Sequence, residues 1–183
     1  MRAAGRAAAA VVVVLALAGC GRTLASSPVT ATAEVRADVS CLDPEVLDAL
    51  GLELDPSLRT AATVVTTRGL PPDGFVADSA LVCDRGETLR DSAGIWLAVT
   101  ATRLEGDLDP LVDVVARTTP AVCGPGLVPQ VWLVDAMGGA VLLPRDATCG
   151  DDVPAVLEDL DVVDRTERPV ALAQSVSAEA LTP

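Results

Sequence analysis

The strongest constraint on this fold is an export signal followed by four widely spaced cysteines. Arg2 and Arg6 precede an apolar run over residues 7–17, which has the length of a signal-peptide core and is too short to span a bilayer as a stable anchor. We therefore predict that residues 1–19 are an export signal and take no part in the fold. The rest of the chain is then expected on the oxidising side of a membrane, where cysteines form disulfides.

Small residues stand directly before the first cysteine. The sequence Leu17-Ala18-Gly19-Cys20 resembles the bacterial lipobox at every position. The resemblance implies cleavage before Cys20, attachment of lipid to that cysteine, and localisation outside the cytoplasm on the outer face of the cell membrane. Two or more acyl chains hold a protein stably at a bilayer, so no transmembrane helix would be needed.

Four cysteines remain if Cys20 carries lipid, an even number that predicts two disulfides. The pairs that we favour are Cys41 with Cys83 and Cys123 with Cys149. Each of these pairs encloses one contiguous block of predicted structure, and the two other pairings remain open from the residues alone. A four-thiolate zinc site is disfavoured because CxxC-type spacings are missing, so no metal and no cofactor is predicted.

The mature chain is strongly acidic. Removal of the signal leaves 11 basic residues against 26 acidic residues, a net charge of −15. Such a charge repels nucleic acid and anionic headgroups, so a basic docking surface for either is not expected. Every basic residue is arginine, and lysine, asparagine, histidine and tyrosine are absent. This bias is typical of a GC-rich genome and, with the lipobox, indicates an actinobacterial source.

The missing residue types also exclude several chemistries. A chain without histidine has no Ser-His-Asp triad, no Cys-His pair and no imidazole metal ligand. A chain without lysine has no Schiff-base lysine and no Walker A phosphate loop. Carboxylates, hydroxyls, arginines and thiols are the groups that remain for catalysis.

The chain divides into a tether, one domain and a tail. Residues 20–40 contain the lipidated cysteine and lack sustained periodicity, which predicts a flexible tether. Residues 41–173 are predicted to form a single disulfide-stabilised domain, and residues 174–183 a C-terminal tail. At the start of the domain, Asp43-Pro44-Glu45 predicts a short helix with an aspartate cap and a first-turn proline. Residues 61–68 and 79–83 predict an N-terminal β-hairpin.

The rest of the domain has a clearer pattern. Apolar and polar residues alternate over residues 95–104, which predicts a strand, while residues 107–117 and 152–160 have the apolar spacing of helices. Two apolar runs flank Met137-Gly138-Gly139, as in a hairpin, and residues 167–173 predict a last strand. The order strand, helix, strand, strand, helix, strand is that of the ferredoxin-like arrangement.

The predicted fold class is therefore α+β. It consists of a two-layer antiparallel sheet with two helices on one face, for which the ferredoxin-like order is the candidate topology, plus the N-terminal hairpin. The hairpin is expected either to extend the sheet or to cover its open face. About 140 residues of folded chain suffice for one domain with its own core.

Spaced motifs over about half of the chain resemble those of actinobacterial secreted and lipid-anchored envelope proteins. The motifs are Leu70-Pro71-Pro72-Asp73-Gly74-Phe75, Leu81-Val82-Cys83, Trp132-Leu133-Val134-Asp135-Ala136, Leu143-Pro144-Arg145 and Cys149-Gly150. The resemblance implies a recurring disulfide-bearing domain of the cell envelope. It implies no activity that could be transferred residue by residue.

Acidic residues are the first candidates for a site. The residues are Asp107, Asp109, Glu158, Asp159, Asp161 and Asp164. Pairs of these carboxylates could act on a glycosidic bond or bind calcium, although the spacing does not match an EF-hand loop. The simpler interpretation, which we favour, is that they cap helices and form a solvated acidic surface.

Two tryptophans and one arginine are the other candidates. Trp96 shares its face of the predicted strand with alanine and threonines, so it would suit a glycan or a protein partner if that face were open. The favoured alternative is that the N-terminal hairpin buries Trp96. Trp132 lies in a strand that is apolar on both faces, which predicts burial. Arg145 is expected to pair with a nearby acid rather than to bind an anionic ligand.

Location and missing catalytic groups together favour a binding role. The leading hypothesis is a lipid-anchored, non-enzymatic domain that binds a protein or glycan partner in the cell envelope. The alternative is a carboxylate-dependent hydrolase acting on cell-wall glycans through acids among Asp107, Asp109, Glu158 and Asp161. A third hypothesis, a structural spacer, predicts neither a concave pocket nor an exposed aromatic side chain.

Overall fold

The structure, a computed structural model, describes residues 31–59, 66–118, 123, 127–150 and 152–176. This described part contains four α-helices and a sheet of six strands. The helices are α1 (Pro44–Ala49), α2 (Asp109–Arg117), α3 (Arg145–Thr148) and α4 (Asp152–Glu158). The strands are β1 (Ser79–Arg85), β2 (Leu89–Arg90), β3 (Gly94–Glu105), β4 (Gln130–Val134), β5 (Ala140–Leu142) and β6 (Asp161–Ser175). A short 3₁₀ helix, Pro56–Leu58, precedes β1.

All strand pairs in this sheet are antiparallel. Strand β3 pairs with β6 along one whole edge, while β1 and the two-residue β2 share its other edge. Beyond β1 lie β4 and then β5. The order across the sheet is therefore β6-β3-β1-β4-β5, with β6 at one margin and β5 at the other.

The sheet confirms the α+β class but not the ferredoxin-like order. In that arrangement β5, the second strand of the β4–β5 hairpin, would lie between β3 and β4. Here β1 occupies that position, and β5 pairs on the outer side of β4. The predicted N-terminal hairpin is also wrong, because both edges of β1 are filled by β3 and β4. Residues 61–65 lie outside the described part, and residues 66–69 are not in a strand.

Apolar side chains of the inner strands are covered on both faces of the sheet. On one face, called the helical face below, Leu104, Val131 and Leu133 pack with residues of α2, α3 and α4. On the other face, Val99, Trp132 and Leu142 pack with α1. The predicted placement of two helices on one face is therefore confirmed, with the short α3 added to them. The opposite face is covered by α1 and the segment around it rather than by a hairpin.

The hairpin between β4 and β5 follows from local chemistry. The carboxylate of Asp135 accepts hydrogen bonds from the backbone N–H groups of Met137 (2.8 Å) and Gly139 (2.7 Å). Gly138 has a φ of 85°, a conformation that side chains disfavour. The turn predicted around Met137-Gly138-Gly139 is therefore present as a five-residue connection.

The domain begins earlier than the predicted boundary at Cys41. Ala33 is buried in the core of the helical face, and the backbone of Arg36 exchanges hydrogen bonds with Ala140 of β5 (2.8 and 2.6 Å). These contacts place residues 31–40 in the domain rather than in the tether. At the other end, β6 includes Gln174 and Ser175, which were assigned to the tail. Cys20 and residues 21–30 lie outside the described residues.

A buried polar cluster holds this N-terminal segment against α1. The guanidinium of Arg36 contacts the carboxylate of Asp43 (3.1 Å) and donates to the hydroxyl of Thr66, which in turn donates to Asp43 (2.7 Å). The other oxygen of Asp43 caps α1 by accepting from the N–H of Glu45 (2.9 Å). The side chains of Arg36 and Asp43 are only 9% and 5% exposed, so the ion pair lies away from solvent.

Both predicted cysteine pairs are present as disulfides. Cys41–Cys83 joins the segment before α1 to the central strand β1, with the Cα atoms 5.3 Å apart. Cys123–Cys149 joins the connection after α2 to the end of α3, with the Cα atoms 5.6 Å apart. The first disulfide is fully buried, whereas both cysteines of the second are partly exposed.

Candidate functional site

A groove of about 350 Å³ opens on the helical face, between the end of α4 and strands β1, β3 and β6. Its volume is at the lower end of the range for small-molecule sites. Five apolar side chains contribute to its lining: Val82, Leu104, Leu157, Leu160 and Val162. The groove exists because α4 covers only part of the long β3–β6 ribbon.

Alternation along β3 turns two hydroxyls toward this groove. Thr100 and Thr102 lie on the same face as Leu104, directly across from Asp84 and Val82 of β1. The hydroxyls of both threonines have no hydrogen bond to another described residue. They are therefore available to a ligand as donors or acceptors.

Charged groups of both signs border the groove. The acids are Asp84 and Glu158, and the bases are Arg85 and Arg165. Within the described residues, none of these four side chains forms an ion pair. The groove thus combines an apolar lining with uncommitted polar groups, an arrangement that suits a small ligand with both apolar and polar parts.

The predicted acidic candidates do not converge on this groove. Asp107 accepts a hydrogen bond from the N–H of Asp109 (3.1 Å) at the start of α2, and both residues are exposed. Asp159, Asp161 and Asp164 are also exposed and do not line the groove. Glu158 is the one predicted acid that lines it. In the described part of the chain, no group of three or more acids or cysteines is arranged to hold a metal ion.

Trp96 is buried, with 9% of its surface exposed. Its cross-strand neighbours are Leu89 of β2 and Leu172 of β6, so strands of the sheet flank it and the predicted hairpin plays no part. The indole N–H lies near Asp91 without full hydrogen-bond geometry. The indole N–H nevertheless makes the largest contribution to the lowered pKa of Asp91, and the backbone N–H of Ala93 makes the next largest. The favoured burial of Trp96 is therefore confirmed, although strands of the sheet rather than a hairpin flank it, and this burial gives no support to Trp96 as an exposed binding residue.

Replacement of Trp96 by alanine should lower the free energy of unfolding by about 3 kcal/mol, the lower part of the range for a buried aromatic. The lower part applies because Leu89 and Leu172 are themselves partly exposed, so the site can relax. Urea unfolding followed by circular dichroism measures the change. A loss below about 1 kcal/mol would show that Trp96 is not a core residue.

The matched control is Trp96→Phe, which keeps an aromatic ring but removes the indole N–H. This variant should lose much less stability than Trp96→Ala. It should also raise the pKa of Asp91 toward its ordinary value, which NMR titration of the carboxyl carbon can follow. An unchanged pKa would show that the indole is not what lowers it.

Trp132 and Arg145, the remaining candidate residues, do not line the groove. Trp132 is fully buried beneath α1, as predicted. Arg145 begins α3, and no acid among the described residues lies within ion-pair distance of it, so the predicted pair is not formed there. Its Nε atom is buried without a hydrogen-bond partner in the described part.

Sequence patterns found only part of the groove. Alternation placed Thr100 and Thr102 on one face together, which is a usable signal for the β3 side. Asp84 and Arg165 were missed because they reach the groove only through the pairing of β1 and β6 with β3. No periodicity within either segment contains that information.

No helix in the described ranges has the length and apolarity to cross a membrane. Comparison of the chain with protein-family models, with curated proteins and with solved structures finds no match.

Proposed function

We propose that this protein is a lipid-anchored, extracytoplasmic binding domain that holds a small ligand, or a segment of a partner molecule, in the groove of its helical face. The observation that carries the proposal is the groove itself. It places two hydroxyls and charges of both signs, none of them paired with another described residue, around an apolar lining. The two disulfides support an oxidising location.

Attachment through Cys20 would keep the domain close to the membrane. Ten residues lie between Cys20 and Ala31, where the described part begins. Fully extended, the eleven Cα–Cα steps from Cys20 to Ala31 would reach about 40 Å, so the tether allows the domain to turn but not to leave the bilayer surface. The tether enters at the β5 margin, where Arg36 pairs with Ala140, and the groove lies toward the opposite margin, beside β6. The groove is then free to face the envelope.

Anchoring is tested by mass analysis of the mature N-terminus after expression in a host that processes lipoproteins. The expected result is a chain that begins at Cys20 and carries acyl groups, and that sediments with membranes. Cys20→Ala is the control and should yield unmodified protein. An unmodified residue 20, or retention of residues 1–19 in the wild type, would refute the lipid anchor.

The groove is tested by replacing Thr102 with a photo-crosslinking amino acid in cells. The expected result is a covalent adduct with an envelope component that is not a second copy of this chain. The matched control carries the same amino acid at Arg103, the next residue of β3, which faces the opposite side of the sheet. Adducts of equal yield at both positions, or none at Thr102, would contradict binding in the groove.

A hydrolase is the second candidate, and one observation favours it. Asp84 and Glu158 both line the groove, and paired carboxylates across a cleft are the catalytic groups of most glycosidases. Under this hypothesis the protein should release reducing ends from cell-wall glycan, and Asp84→Asn and Glu158→Gln should each lower the rate at least about 100-fold. A wild-type rate equal to those of both variants would leave binding as the function.

A further inference from the structure

At one margin of the sheet, no described residue covers part of the strand edge. Within the described part of the chain, residues 161–168 of β6 pair with β3 on one side only, and all eight are exposed. Further along the strand the outer edge is occupied, because the backbone N–H of Asp55 donates to the carbonyl of Val170 (2.7 Å). The free part of the edge therefore presents unpaired backbone groups, which favour pairing with another strand.

The charges along this free edge have an ordered arrangement. The sequence Asp164-Arg165-Thr166-Glu167-Arg168 lies in a stretch of β6 without a bulge. Asp164, Thr166 and Arg168 share the face of β6 that lies over Arg103, Ala101 and Val99 of β3. Arg165 and Glu167 share the helical face. None of the four charged residues forms an ion pair within the described part of the chain.

We propose that this edge binds a second copy of the same chain, with the two β6 strands antiparallel and Thr166 on the two-fold axis. In this register Asp164 of each copy lies opposite Arg168 of the other, and Arg165 lies opposite Glu167. Every charge then faces an opposite charge on the same face of a continuous sheet. Cross-strand pairs of opposite charge are a recognised source of sheet stability.

Neighbouring registers lack this complementarity. Centring the pair on Asp164, Arg165, Glu167 or Arg168 places that charged residue opposite its own copy. Centring it between two residues is excluded, because side chains that pair across strands must share a face. The charge order therefore selects one register and a self-complementary interface, as a two-fold dimer requires. Val163, which is 49% exposed, would lie opposite Pro169 of the second copy.

The dimer would also complete the groove. Arg165 lines the groove, so pairing brings Glu167 of the second copy beside it. The β5 margin, where the N-terminal segment enters, lies four strands away, about 19 Å at the usual strand spacing. Both copies can therefore attach to one membrane while their β6 edges pair. Five residues of strand pairing form a small interface, and anchoring would strengthen it by raising the effective concentration.

The test introduces a cysteine at the proposed axis in the full chain. In membranes, Thr166→Cys should form an intermolecular disulfide on mild oxidation, because directly opposed Cβ atoms lie about 4.5–5.5 Å apart. The control Thr32→Cys is exposed at the opposite margin and should crosslink at least about fivefold less. The native cysteines 41, 83, 123 and 149 remain paired in both variants. A yield at Thr166 equal to that control, or adducts with a different protein, would overturn the proposal.

Charge exchange tests the register. Added to Thr166→Cys, Arg168→Asp should lower the crosslinked fraction about tenfold, because it places two aspartates opposite each other at both ends of the pair. Adding Asp164→Arg to that variant restores the opposite charges and should restore the crosslink. Failure of the double exchange to restore it would overturn the register. Repeating the oxidation with the purified full chain in detergent tests dimer formation independently of lipid attachment at Cys20 and of ligand binding in the groove.

Discussion

Replacement of Arg36 by methionine should lower the free energy of unfolding by about 3–5 kcal/mol, the range for breaking a buried ion pair from one side. The arginine is 9% exposed and its partner Asp43 is 5% exposed. Without the guanidinium, the carboxylate of Asp43 stays buried, and Thr66 and the backbone N–H of Glu45 are its remaining donors among the described residues. Methionine preserves much of the packing of the arginine side chain, so the loss of stability measures mainly the removal of its charge. Urea unfolding at neutral pH, followed by tryptophan fluorescence, measures it.

Arg59→Met is the matched control for this experiment. Arg59 pairs with Glu53 at 3.6 Å, but the two side chains are 52% and 90% exposed. A surface pair of this kind contributes at most about 1 kcal/mol, so the control should be nearly neutral. Equal losses of stability from the two substitutions would show that the buried polar cluster around Arg36 does not stabilise the fold more than a surface ion pair does.

The loss caused by Arg36→Met should depend on pH. Arg36 donates two hydrogen bonds to Asp38 and thereby lowers the pKa of that carboxyl. A lowered pKa in the folded state contributes stability above the ordinary aspartate value of about 3.9, and the contribution disappears as the pH falls through the folded value. The difference between wild type and variant should therefore narrow below about pH 4. A difference that widens in acid would contradict this assignment.

Removal of the Cys41–Cys83 disulfide by a double alanine substitution should lower the free energy of unfolding by about 4 kcal/mol. The two cysteines are separated by 42 residues, and the crosslink restricts that loop in the unfolded chain. Both cysteines also pack in the core beneath α1, with exposed fractions of 3% and 0%. Because this disulfide attaches the α1 layer to the central strand, we expect the variant to expose Trp132 to quencher as well.

The second disulfide serves as the comparison. Cys123–Cys149 closes a separation of 26 residues, so its removal should lower the free energy of unfolding by about 3.5 kcal/mol. Its cysteines are partly exposed, which predicts that a mild reductant opens it first. Alkylation and mass analysis after timed reduction measure the order. Earlier reduction of Cys41–Cys83 would contradict the burial described for that pair.

Local patterns in the sequence predicted several of the elements, although β2, α3 and the first six residues of β6 were not predicted. Helix α1 has its aspartate cap at Asp43, β3 alternates as expected, and α2 begins with Asp109 and ends with Arg117. The disulfide partners followed from the blocks that the cysteines enclose. These features depend on residues near one another in the chain, where caps, turns and periodicity act.

The arrangement of the elements depends on pairing between strands that are distant in the sequence. The residues of β1 do not reveal that both edges of this strand will be filled, which excludes the predicted hairpin and the ferredoxin-like order. Likewise, the composition of residues 31–40 resembles a tether, yet Ala33 is buried in the core and the backbone of Arg36 bonds to the distant strand β5. Burial of Trp96 also depends on β2 and β6, which its own strand pattern cannot specify.

The sequence by itself predicts an export signal and a lipid site at Cys20, and it determined the α+β class and the groups available for chemistry. Only the tertiary structure brought Asp84, Thr102 and Arg165 to one groove and left residues 161–168 as a free edge among the described residues. The physical reason is that a strand pattern specifies which side chains share a face, whereas neighbours and edges are specified by competition among all strands for the same backbone hydrogen bonds.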